Sequence, residues 1–300
     1  MILNAKSSLS MNNKRRYLII QTSKTRASPL VRTCYSVLLL AFIAGFMTLI
    51  HGPAHATMTE WQDLGGGKAR LVAEYDPLTR RLSGGLELKL ESGWSTYWRY
   101  PGSSGIPPVF DFGKTLKLDP GKPEFPVPEV IGTGQNRYAG YKQQVTFPFS
   151  GEFDPASNGG LQLQLMIGLC ETICIPARAV FRISETDLRR FEPETKRVLA
   201  QAQATLPTLI GDPAPLILKE RTKDAEIRLV VKPMPGFEKP ELLVEGPSEW
   251  FLTPALSERS TDEAFVFLLD VSRAPGETDF LNTPLHYTLV EGRRGVQFQD

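Results

Sequence analysis

Short runs in which every second residue is apolar, cut off by glycine and proline, constrain this chain more than any other feature. Leu86, Leu88 and Leu90 alternate with Glu87, Lys89 and Glu91, the period of a strand with one buried face. In the next segment Trp94, Thr96, Trp98 and Tyr100 share one face, and Ser95, Tyr97 and Arg99 share the other. Residues 69–75, 144–150, 161–169 and 178–183 are further strand candidates. Glycine and proline number 25 and 24 in 300 residues, and short alternating runs between so many turn formers predict β structure.

The pattern changes once. Residues 194–206 read as a short helix, with Pro193 suited to its first turn and Pro207 stopping it. Alternation returns at 216–219, 226–232, 241–245, 264–271 and 285–291, whereas 101–141 reads mostly as loop. The expected fold is all-β: a sandwich over 57–184, a short helical connector over 185–212 and a second, smaller β domain over 213–300.

Residues 1–56 follow a different grammar. Seven basic residues and no acid lie in them, with an apolar run at 37–50 and then Pro53-Ala54-His55-Ala56. A basic region, an apolar core and a small-x-small ending predict an export signal cleaved near Ala56, with Met11 an alternative start. The apolar run is shorter than the ~20 residues a membrane helix needs. Without this segment 27 basic residues face 33 acidic ones. A body carrying a net charge of −6 argues against nucleic acid and against anionic membrane surfaces as partners. No later stretch is long enough for a membrane helix.

Of the three cysteines, Cys34 lies in the export segment, which leaves Cys170 and Cys174. An exported chain meets an oxidising compartment, where a close pair forms a disulfide. The strand candidate 161–169 ends at Cys170 and another begins after Cys174, so the three residues between read as a hairpin loop. Closing so small a loop contributes only about 2 kcal/mol in the chain-entropy model. Exchange chemistry needs a sulfur that can be reached, and a pair at a hairpin mouth offers one. Spacing alone leaves both a local staple and a redox pair open, and it is not the Cys-x-x-Cys of thioredoxin-like enzymes.

The run Gly168-Leu169-Cys170-Glu171-Thr172-Ile173-Cys174-Ile175-Pro176-Ala177 resembles the redox segment of the N-terminal periplasmic domain of the DsbD/ScsB disulfide reductases. The aromatic block from Gly93 to Pro108, and Gly140-Tyr141-Lys142 leading into Val145-Thr146-Phe147-Pro148, resemble two further parts of that domain in the same order, over about 61–183. The resemblance implies an immunoglobulin-like sandwich that shuttles electrons between thioredoxin-like partners. It implies Cys174 as the sulfur that forms the mixed disulfide and Cys170 as the resolving one. An aromatic cap shields the pair in such domains, and Tyr138 and Tyr141 are the nearest candidates here. Full-length reductases continue into a multi-helix membrane segment and a thioredoxin-like domain, neither of which is read in these residues, so the expectation is a separate donor, a thioredoxin-like domain or a membrane electron donor, or else a drift to another use. Residues 185–300 carry no resemblance of this kind.

Other constellations are weaker. Trp94, Tyr97, Trp98 and Tyr100 suggest a sugar platform, but strand alternation accounts for their spacing. Asp111, Asp119, Glu124 and Glu129 lack the dense acidic pattern of a calcium loop. His286, the one histidine after residue 56, has no Gly-x-Ser-x-Gly beside it and alternates as a surface strand residue. With Cys170 and Cys174 it falls short of four zinc ligands. Neither metal nor cofactor is expected. The competing reading is a non-catalytic exported β-sandwich binding module with a local structural disulfide.

Overall fold

A computed structural model describes residues 57–102, 105–154, 159–223, 225–275 and 279–300. The expected export segment lies outside the described residues.

Among the described residues eleven strands come first: β1 (Gln62–Asp63), β2 (Gly67–Asp76), β3 (Arg81–Leu90), β4 (Ser95–Tyr97), β5 (Val109–Asp111) and β6 (Leu116–Leu118). They continue with β7 (Glu129–Ile131), β8 (Tyr138–Lys142), β9 (Gln144–Phe153), β10 (Gly160–Cys170) and β11 (Cys174–Ser184). Two short helices follow, α1 (Glu185–Leu188) and α2 (Pro193–Gln203). The remaining strands are β12 (Thr208–Leu209), β13 (Leu216–Lys223), β14 (Glu226–Val231), β15 (Glu241–Glu245), β16 (Leu256–Ser260), β17 (Phe265–Asp270), β18 (His286–Glu291) and β19 (Arg294–Gln299).

Four sheets result. The first runs β1-β2-β3-β9-β6 and the second β11-β10-β4-β8-β7, with β5 added beside β10. Leu71, Leu86, Leu88 and Phe147 of the first sheet meet Leu163, Ile167 and Phe181 of the second in one core that also holds Trp98. This is the immunoglobulin-like sandwich, and each strand buries alternate residues because successive side chains point to opposite faces. The third sheet runs β12-β19-β18-β15 and the fourth β13-β14-β17-β16. Their core contains Ile227, Leu229, Phe267, Leu242, Tyr287 and Phe298.

Between the two cores α2 begins with Pro193 and buries Thr195, Val198, Leu199 and Ala202, the spacing of one helical face. Val198 and Leu199 cover Val72 on the outer side of the first sheet, and Gly85 leaves room for Leu199. The stretch 101–141 is mostly loop, as the sequence suggested, but three short pairings interrupt it. It contains β5, β6 and β7, each three residues long, and the start of β8. Such strands are too short for alternation to reveal and exist by pairing with longer neighbours.

Candidate redox site

The pair lies where the β10–β11 hairpin turns. β10 and β11 pair antiparallel along their whole length, and Cys170 stands directly opposite Cys174. Their Cα atoms are 4.1 Å apart and the sulfurs are bonded. Glu171, Thr172 and Ile173 form the expected hairpin loop.

The two sulfurs occupy unlike surroundings. Cys170 is only 5% exposed and belongs to the buried set, whereas Cys174 is exposed. The asymmetry follows from the sheet. β10 is flanked by β4 as well as β11, since Cys170 pairs with Ser95, while β11 is the sheet's edge strand. On either side of Cys174, Ile173 is 74% exposed and Ile175 is also exposed.

β4 supplies the polar contacts. The Ser95 hydroxyl donates to the Cys170 carbonyl at 3.1 Å. The Tyr97 hydroxyl lies 3.0 Å from Cys174 Sγ and 3.1 Å from Cys170 Sγ. A bridged sulfur carries no hydrogen, so the phenol is the donor and both sulfurs are acceptors. Burial raises the Tyr97 phenol above its usual value near 10, and Tyr138 adds to the rise, which keeps the donor protonated at neutral pH. The Tyr97 ring lies over Gly168, where an added Cβ would stand 3.0 Å from the ring and 2.9 Å from Ile106.

Of the two aromatics expected as a cap, Tyr138 reaches the site. Its ring lies 5.0 Å from that of Tyr97, and its hydroxyl is 2.8 Å from Ser95 Oγ. Tyr141, three residues further along β8, faces the other way. It is buried, donates to the Pro126 carbonyl at 2.8 Å and packs edge-on against Phe147.

The remaining candidates do not converge. Trp98 is buried and Trp94 and Tyr100 are partly buried, so the aromatics of β4 and its flanks form no open platform. Asp119 is engaged by Ser150 and Arg81, Glu124 by Lys122, and Glu129 by Lys142. Among the described residues no group of three or more His, Cys, Asp or Glu is placed to hold a metal ion. His286 is an exposed residue of β18. Among the described residues no helix is long and apolar enough to cross a membrane.

With this geometry in hand, the family model described as thiol:disulfide interchange protein DsbD, N-terminal, matches residues 71–184. Those residues are thus similar to the N-terminal domain of DsbD. The solved N-terminal periplasmic domain of ScsB from Proteus mirabilis has the same fold, with a TM-score of 0.68 at 18% identity. The match covers 82% of this chain and 98% of that one. That share is more than the DsbD-type segment can supply, so the shared fold extends into residues 185–300. A conserved domain protein from Bacillus anthracis is 10% identical over 82% of this chain and 85% of its own, with a TM-score of 0.21. No curated protein matches.

Proposed function

We propose that this protein is a periplasmic thiol–disulfide exchange protein that relays reducing equivalents through Cys170 and Cys174. The observation that carries this reading is the unequal exposure of the two bonded cysteines, whose sulfurs both contact the Tyr97 hydroxyl. A partner thiolate attacks Cys174 Sγ, the Cys170–Cys174 bond breaks, and Cys170 leaves as a thiolate. A second partner thiolate then attacks the partner's own sulfur in the mixed disulfide, releasing Cys174 and an oxidised partner. Two electrons now rest on the Cys170–Cys174 pair. In the forward relay the Cys174 thiolate attacks a substrate disulfide, and Cys170 resolves the mixed disulfide by attacking Cys174, which restores the bridge and frees a reduced substrate.

In this reading Tyr97 donates to whichever sulfur carries developing charge, the role a preorganised donor plays at any anionic intermediate. Tyr97 and Tyr138 screen the pair, and Tyr141 supports β8 from the core side. Residues 57–184 are the exchange domain, 185–212 the connector and 213–300 a second β domain, with 1–56 an export signal. The electron donor is a thioredoxin-like domain or a membrane electron donor. Suitable acceptors are disulfide isomerases, peroxide-handling enzymes or the cytochrome c maturation route.

Mixed-disulfide trapping tests this. A Cys170→Ser variant is expected to accumulate a covalent adduct with a thioredoxin-like partner through Cys174, and Cys174→Ser to form none. A bridge that small phosphine reductants open but thioredoxin-like proteins never do would sink the proposal. So would a midpoint potential well below about −300 mV, the range of stable structural disulfides.

A further inference from the structure

Two arginines tie the site strands to the second β half, and they grip opposite ends of one strand. Arg99 follows Tyr97 by two residues, just beyond β4, and holds Glu245 with two hydrogen bonds of 2.8 and 2.6 Å. Arg137 immediately precedes Tyr138 at the start of β8 and holds Glu241 at 2.6 Å. Glu241 and Glu245 are the first and last residues of β15. Being four apart on a strand, they face the same side about 13 Å from each other. Leu243 lies midway on that face and is buried in the sandwich core rather than in the core of its own half.

The link is therefore an apolar plug between two ion pairs. Glu245 and Arg137 keep only 13% and 12% of their side-chain surface exposed, so neither pair is a freely solvated surface bridge. Tyr100 adds a third tie: its hydroxyl donates to the Pro247 carbonyl at 3.2 Å and accepts from Leu252 N–H at 3.4 Å. β4 is three residues long, so a ladder alone holds Tyr97 weakly, and the residues that follow it set where the phenol stands.

Building on the exchange reading above, we propose that Arg99 and Arg137 are positioning residues, and that through them β15 holds Tyr97 and Tyr138 against the Cys170–Cys174 pair. The second β half thereby tunes the reactivity of Cys174 without touching it. In the oxidised site the Tyr97 hydroxyl stabilises the bridge by a weak contact, and in the reduced site it donates to a thiolate, a stronger bond. Loosening the clamp weakens that second contact more than the first.

The test uses the full chain, chemically reduced, with Cys174 alkylation by iodoacetamide followed across pH by peptide mass spectrometry. The Glu241→Gln/Glu245→Gln variant keeps side-chain shape and removes both charges. Its alkylation midpoint is expected to rise by about one pH unit, a tenfold loss of thiolate below the midpoint, with circular dichroism unchanged. In a Tyr97→Phe background the same pair of substitutions should add nothing, because the group being positioned is gone. If the double variant does not fold, Glu245→Gln alone carries the test with a smaller rise. An unmoved midpoint overturns the proposal, as does an equal rise in the Tyr97→Phe background. The readout needs no partner, so failure of wild-type protein to exchange with thioredoxin-like reductants would strike the functional reading and leave this result standing.

Discussion

One hydroxyl faces two sulfurs, and that ratio decides what Tyr97 contributes. It lies within reach of both, and in the proposed exchange its single proton would follow whichever sulfur gains charge as the bridge opens. Tyr97→Phe keeps the ring against Tyr138 and removes only the donor. Exchange at neutral pH should slow about tenfold, the value of a hydrogen bond to a charged group worth roughly 1.5 kcal/mol. Stopped-flow reduction by a thioredoxin-like protein measures this, and an unchanged rate would remove Tyr97 from the mechanism. Gly168→Ala attacks the same contact from below. Its methyl group would press on Ile106 and the Tyr97 ring, costing about 1–3 kcal/mol as overpacking does and slowing exchange with it. The close cysteine pair and its hairpin were legible in the sequence, whereas the contact of the Tyr97 hydroxyl with both sulfurs was not. Alternation correctly put Ser95 and Tyr97 on one face, but their partner strand lies some 75 residues away. No local pattern reports a pairing at that distance.

Among the elements, β15 shows how far periodicity reaches and where it stops. Leu242, Leu243 and Val244 are consecutive and all buried, the continuous apolar run of a strand covered on both sides. The run marked a strand at 241–245 without showing what each side met. The structure supplies the answer: Leu242 and Val244 enter the second core, and Leu243 enters the first. Leu243→Ala should therefore destabilise by about 2–5 kcal/mol, as much as Leu242→Ala, because each leaves a cavity in a packed interior. Urea unfolding of the two variants decides it, since a solvent-facing Leu243 would cost little. The longer elements, β2, β9, β10, β11 and α2, all lie where alternation or helical spacing put them, with ends displaced by a few residues. The five- and six-residue strands β8, β16 and β19 were missed too, but β1, β5, β6, β7 and β12 were missed for a shared reason. Two- and three-residue strands hold too few side chains to display a period, and only the neighbour they pair with makes them strands.

Across the whole molecule, buried phenols tie both cores to the same pH limit. Burial is the leading cause that raises Tyr97, Tyr100 and Tyr141 above the ordinary value of 10, Tyr141 the most of these. Tyr287, in the second core, is raised strongly by burial and by Asp300. A group whose folded pKa lies above its unfolded one binds its proton more tightly when folded. Its stabilisation is complete below pH 10 and is lost as pH climbs from there toward the folded value. Four such groups predict unfolding that steepens above pH 10, with their phenolate absorbance appearing only as the chain opens. The described residues from Thr57 to Asp300 cluster as one compact unit, and Leu243 and Val290 of the second half sit in the first core. The two cores should then fail together. Trp61, Trp94 and Trp98 lie in the first half and Trp250 in the second core, so alkaline titrations of a Trp61→Phe/Trp94→Phe/Trp98→Phe variant and of a Trp250→Phe variant should give coincident fluorescence midpoints. Midpoints separated by a full pH unit would mean that the cores open independently, and β15 would then be too loosely held to steady anything at the cysteine pair.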